Sequence, residues 1–214
     1  MKGITFGRYH SYRDFSLILG EKEIAAPKVK TVKIEIEGAD SAIDLTEFFG
    51  EPNYDDVTHK FQFFTLVPQV EFLALYSAIK NAIHGQKVRI VLDDDPGFFY
   101  LGRCHVSSFT SAKGVGTVSV EADCEPWKYR ATQTTISQAV SGEGIVILAN
   151  LRKRVVPEVT ISTESSLRLV FGDNIWDLGS GSYTLPELEL QAGENAVSVA
   201  GTGTVSFSYQ EAGL

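Results

Sequence analysis

Val57-Thr58-His59-Lys60-Phe61-Gln62-Phe63-Phe64 is the stretch that decides the fold class. Val57, His59, Phe61 and Phe63 fall on one face of an extended chain, and Thr58, Lys60, Gln62 and Phe64 on the other. A period of two built from β-branched and aromatic residues marks a half-buried antiparallel strand. The pattern recurs on both sides. In Val29-Lys30-Thr31-Val32-Lys33-Ile34-Glu35-Ile36, the residues Val32, Ile34 and Ile36 oppose Lys33 and Glu35. Val118, Val120 and Ala122 alternate with Ser119, Glu121 and Asp123, and Val205, Phe207 and Tyr209 alternate with Thr204, Ser206 and Ser208. A mainly β protein is expected.

One segment departs from this rule. Between Val70 and His84 the apolar residues are Phe72, Leu75, Tyr76, Ile79 and Ile83. Their spacing forms one stripe of an amphipathic helix, which would cover a sheet face. Gly85 can take the left-handed conformation that ends a helix, and Pro68 stands just before the start, where its missing N–H costs little. Downstream, Lys87–Leu92 and Phe98–Cys104 flank Asp93-Asp94-Asp95-Pro96-Gly97. Asp, Pro and Gly together read as a turn, in which Asp side chains bond nearby N–H groups. The three carboxylates lack the spacing and the distant Glu of a calcium loop, so no metal site is expected. Phe98, Phe99 and Tyr100 put bulky rings on both faces of one strand. They are either buried on both sides or, on an edge hairpin, exposed as a contact surface. Leu101–Ser107 and Thr117–Asp123 read as a hairpin folded around Lys113-Gly114-Val115-Gly116. With its axis at Gly114, Cys104 and Cys124 face each other, as free thiols in a reducing cytoplasm.

At Pro126-Trp127-Lys128-Tyr129-Arg130 the character of the chain changes. Beyond it no helical period occurs, and short strands alternate with turns such as Ser141-Gly142-Glu143-Gly144, Gly172-Asp173-Asn174 and Gly201-Thr202-Gly203. Turn signals at this density suggest a small sandwich. Two domains are expected, residues 1–130 and 131–214. Trp176 either fills the core of that sandwich or stacks on a sugar ring from an exposed groove.

Composition narrows the function. The chain has 214 residues and a net charge of −8, with a pI of about 5.0. Its longest basic cluster is Arg152-Lys153-Arg154, so no nucleic-acid binding is expected. No apolar run approaches the roughly 20 residues that span a bilayer, and residues 1–8 lack a signal-peptide core. Synthesis in a cytoplasm without membrane insertion is expected. There is no Gly-Lys-Ser/Thr, no His-Glu-x-x-His and no Gly-x-Ser-x-Gly. His10, His59, His84 and His105 show no ligand spacing. No enzyme and no cofactor is expected.

Three strings carry a resemblance. Gly38-Ala39-Asp40-Ser41-Ala42-Ile43-Asp44-Leu45-Thr46-Glu47 precedes Asn53-Tyr54-Asp55-Asp56-Val57-Thr58-His59-Lys60-Phe61-Gln62-Phe63. Pro126-Trp127-Lys128-Tyr129 closes the first half, and Gly193-Glu194-Asn195 runs on to Gly201-Thr202-Gly203-Thr204-Val205 near the end. In this order they resemble the distal tail proteins of long-tailed phages, although Ser41 and Thr58 or His59 stand where that family has a second glycine and an arginine. The resemblance implies an N-terminal β-sandwich with one α-helix and a projecting hairpin, then a galectin-like β-sandwich. It implies a virion structural protein, often of prophage origin and assembled in the bacterial cytoplasm. Such a protein forms a hexameric hub ring that contacts a tail tube protein and a tail-tip or baseplate protein. In such a ring Asp93, Asp94, Asp95, Phe98, Phe99 and Tyr100 are the expected subunit contacts. The alternative is a carbohydrate- or receptor-binding module using Trp176.

Overall fold

The computed structural model describes residues 2–48, 50–65 and 67–214. In chain order the elements are β1 (Ile4–Phe6), β2 (Tyr9–His10), α1 (Ser11–Phe15), β3 (Leu17–Glu23), β4 (Lys33–Ile34), β5 (Ile43–Asp44), β6 (Val57–Thr65), α2 (Phe72–Ile83), β7 (Lys87–Leu92), β8 (Phe98–Ala112), β9 (Val115–Arg130), β10 (Thr134–Asn150), β11 (Glu158–Phe171), β12 (Asn174–Leu178), β13 (Gly181–Thr184), β14 (Gly193–Tyr209) and β15 (Ala212–Gly213). Strand accounts for 59% of the residues and helix for 9%, so the protein is mainly β. It divides into two compact units, residues 1–127 with Leu214, and residues 128–213. The division falls between Trp127 and Lys128 rather than after Arg130. The end of β9 is bonded into the second unit: Lys128 and Tyr129 pair with Gly213 and Ala212, and the Arg130 N–H donates to the Glu211 carbonyl at 2.9 Å.

In the first unit the strands run in the order β2-β1-β7-β8-β9-β6-β3. The alternation seen at residues 57–65 holds throughout β6: Val57, His59, Phe61, Phe63 and Thr65 are buried while their neighbours are not. Phe6 on β1 meets Phe61 and Phe63 edge to face at 5.8 and 6.2 Å. Three strands separate β1 from β6 in the sheet order, so the sheet curls until its two sides share a core. The predicted helix is α2, with Phe72, Ile79 and Ile83 buried. Phe72 and Tyr76 both pack on Phe109 of β8, at 5.6 and 5.4 Å. At about 1.5–3 kcal/mol per buried side chain, packing of this stripe outweighs the small propensity of a helix only three turns long. Past its end the Gly85 N–H donates to the Cys104 carbonyl at 2.7 Å, which fixes the helix to β8.

Burial shifts the pKa of three side chains buried in this core. His59 is buried, with neither ring nitrogen hydrogen-bonded among the described residues, and its ring stands edge-on to Tyr100 at 4.5 Å. Burial holds its pKa below the usual histidine value. Cys104 and Cys124 are buried free thiols, and burial pushes both up to about 12. The hairpin turns on Lys113 and Gly114, at φ 51° and 80°, a two-residue turn with both residues left-handed. The axis therefore lies between these two residues, not at Gly114. The Cys124 sulfur sits over Gly102, where any Cβ would collide with it.

The strand expected over 29–36 does not form as such. Only Lys33 and Ile34 are in strand conformation, paired with Asp44 and Ile43. Val32, Ile34 and Ile36 are each about half exposed, at 54, 50 and 47%. Residues 24–56 make an arm held by its own backbone. Lys30 N–H donates to Asn53, Leu45 N–H to Val32 and Asp55 N–H to Lys28, each at 2.8 Å. The alternation is present, but no core lies beneath it.

The second unit is built on three long strands. β14 pairs with β10 without interruption from Thr134↔Tyr209 to Asn150↔Gly193. On its other side it pairs with β11, whose register shifts between Thr163 and Leu167. β13 and β12 extend the two ends of β11. Val205, Phe207 and Val159 from one end share a single core with Val197, Val199 and Leu169 from the other, so the long strands fold over to make both layers. Gly201 lies at this crease with φ +128°, and a Cβ there would come 2.9 Å from the Ser166 carbonyl. Asn195 of the Gly193-Glu194-Asn195 string is also structural. Its side chain accepts from Gln191 N–H at 2.9 Å and donates to the Leu148 carbonyl at 3.2 Å.

Gly201→Ala is expected to destabilise the second unit by about 2 kcal/mol or more, from strain added to the clash. Gly193→Ala, in open space, should cost roughly half that, and denaturant melts of both variants check this. The unfolded chain protonates His59 near pH 6.5, above the folded value, so stability present above that pH falls as pH drops below it. His59→Phe should flatten the dependence of Tm on pH between about 7 and 5. Neither native thiol should react with a maleimide at pH 7.5 until the protein is unfolded in denaturant.

Candidate interaction surfaces

The turn after β7 is tied into its own unit. One Asp93 oxygen accepts the Gly3 N–H at 2.8 Å and the His10 Nε2 hydrogen at 2.9 Å. His10 is a helix cap: its Nδ1 accepts the N–H groups of Tyr12 and Arg13 at 3.1 Å. With Nδ1 accepting, the ring proton belongs on Nε2, facing Asp93. Burial pulls Asp93 upward. The hydrogen bonds from His10 and Gly3, with the charges of His10 and Arg13, outweigh it and hold the carboxyl below its ordinary value. That contribution to stability is present above the ordinary carboxylate pKa and is lost as pH falls through the lowered one. Asp94 is ion-paired with Lys22. The side-chain partners of Asp93 and Asp94 lie far away in sequence. Asp95 shapes the turn through its backbone, donating to the Leu92 carbonyl at 2.9 Å and accepting from Phe98 N–H at 3.2 Å.

β8 lies between β7 and β9, so the three aromatics do not stand on an edge. Phe99 is buried, with the Arg89 guanidinium 4.6 Å above its ring. Tyr100 faces the core against His59, and Phe98 is half-buried. Of residues 93–100, Asp94, Pro96 and Gly97 at the turn tip are exposed.

Larger apolar surfaces lie elsewhere in the first unit. In the arm, Phe48 is 70% exposed, beside a groove of about 590 Å³ lined by Tyr54 and Trp127. These two rings stand at 80° with centroids 5.5 Å apart. At the start of α2, Val70 and Leu73 are 89 and 73% exposed. Composition gave a signal for the arm: residues 28–56 hold eight carboxylates against three lysines. In the second unit Trp176 packs against the core and pairs in register with Leu169. Its neighbour Ile175, 61% exposed, is the outward residue. The indole thus faces the interior rather than a groove. Among the described residues no group of three or more His, Cys, Asp or Glu is placed to hold a metal ion, and no helix is long and apolar enough to cross a membrane.

No family model matches the sequence, and no curated protein matches it. The structure does match a solved one, the crystal structure of the Dit protein (gp19.1) of phage SPP1. That protein is described as a paradigm of the hub adsorption apparatus in phages that infect Gram-positive bacteria. The TM-score is 0.70 at 13% sequence identity, over 98% of this chain and 99% of that one. From end to end, the chain has the fold of the Dit distal tail protein.

Proposed function

We propose that this chain is a structural component of a long-tailed phage virion, a hub ring between the tail tube and the tail tip or baseplate. The observation that carries this is the match to SPP1 Dit over nearly the whole of both chains. A fold alone does not fix function. The reading is supported by the first unit's exposed apolar surface, which lies in the arm and around the start of α2 rather than around a cluster of chemical groups. In this reading the first unit builds a homo-oligomeric, hexameric ring, and the second, a galectin-like sandwich, lies outside it. A tail tube protein and a tail-tip protein are the neighbours. The exposed tip of the turn, Asp94, Pro96 and Gly97, contributes to the subunit contact. The sugar-binding alternative loses its main residue, because Trp176 serves the core.

A closed ring needs two different surfaces per subunit, meeting head to tail. Sedimentation velocity over a concentration series should give a species several-fold heavier than the 23.4 kDa chain and of fixed stoichiometry. A chain that stays monomeric at every concentration, alone and with its tail neighbours, would falsify the ring.

A further inference from the structure

The arm and the outward side of α2 are two distinct surfaces of one unit, and they complement each other in shape and charge. The arm offers a concavity of about 590 Å³, within the roughly 300–1,000 Å³ typical of binding clefts. The floor is Tyr54 and Trp127, and Phe48 and Val32 stand on the rim. The other surface is convex. Val70, in the 3-10 turn that leads into α2, and Leu73, in the first turn of α2, project outward and are the two most exposed large apolar side chains described. Exposed Lys80 stands farther along the same helix. Residues 28–56 carry eight carboxylates against three lysines, whereas α2 (Phe72–Ile83) carries Lys80 and no carboxylate.

We propose that Val70 and Leu73 of one copy seat in the arm groove of a second copy, with Lys80 drawn toward the arm's carboxylates. This rests on the ring reading above and specifies its contact. The two surfaces differ and neither matches itself, so the contact is heterologous and repeats around a ring. Two apolar side chains leave water at the centre of the contact, and the opposite charges set its register.

The buried native thiols allow a direct test. Phe48→Cys and Leu73→Cys chains, carrying different tags, are co-expressed and treated with a short bismaleimide. A cross-linked dimer bearing both tags is expected, absent when either variant is made alone, and the double variant should give a ladder of higher species. Leu73→Asp should raise the concentration for half-assembly at least about tenfold, with its circular dichroism spectrum unchanged. An oligomer that gives no mixed cross-link overturns the contact and leaves the ring standing. Cross-linking between like variants, or only to an added tail protein, overturns the second copy as occupant. A monomer that neither cross-links nor assembles removes the ring as well.

Discussion

Phe6, set edge-on to Phe61 and Phe63, is the contact on which the first unit depends. It joins strands that are remote in the sheet order, and without it the curl would open and expose the row from Val57 to Thr65. Each ring buries a large apolar area and gains a further increment from edge-to-face geometry. The remainder of the unit is arranged around this closure. α2 covers the side toward β8 through Phe109, while His10 and Asp93 tie the first strands to the turn after β7. The tie joins a helix cap, a backbone N–H and a carboxylate at one oxygen, so residues 3, 10 and 93 are held as a group.

Periodicity in the sequence reported burial faithfully wherever a neighbouring layer was present. β6, β9 and β14 bury the faces their alternation predicted, and the α2 stripe meets the sheet as its spacing required. The same signal misled at 29–36, where Val32, Ile34 and Ile36 alternate correctly over nothing. Alternation states which side chains share a face. It does not state whether another layer arrives to cover that face. The Phe98–Tyr100 run was ambiguous for a related reason: its exposure depends on whether β8 is central, a fact set by the pairing of β7 and β9 on either side. Gly102 rather than Cys104 lies beneath the Cys124 sulfur, two residues from the partner that an axis at Gly114 predicts.

Glycine and asparagine in the second unit carry information that periodicity does not. Gly201 permits three long strands to turn over at one line, and Asn195 replaces backbone partners for a loop that has no ladder of its own. Both lie in strings that suggested a family resemblance. In this structure those strings have a mechanical basis, since they mark where the backbone must bend and where a loop must be fastened. The charge distribution, by contrast, is a surface property. The arm's excess of carboxylates plays no part in closing a core, which leaves its composition free to serve contacts outside the chain.

The uninterrupted ladder between β10 and β14 has a consequence for how the protein is made. Thr134 finds its partner at Tyr209, and β11 must pair with the same late strand. The central strand of the second unit is thus synthesised after both of its neighbours. During translation β10 and β11 wait with open edges and uncovered apolar faces until β14 emerges. Pairing at such sequence separation is slow, because loop closure precedes any reward from contact. The first unit, whose β7, β8 and β9 are neighbours in both chain and sheet, can fold first. The nascent chain therefore passes through a stage with one finished unit and one unpaired, sticky β segment, the period in which it is most exposed to aggregation and to cellular proteases.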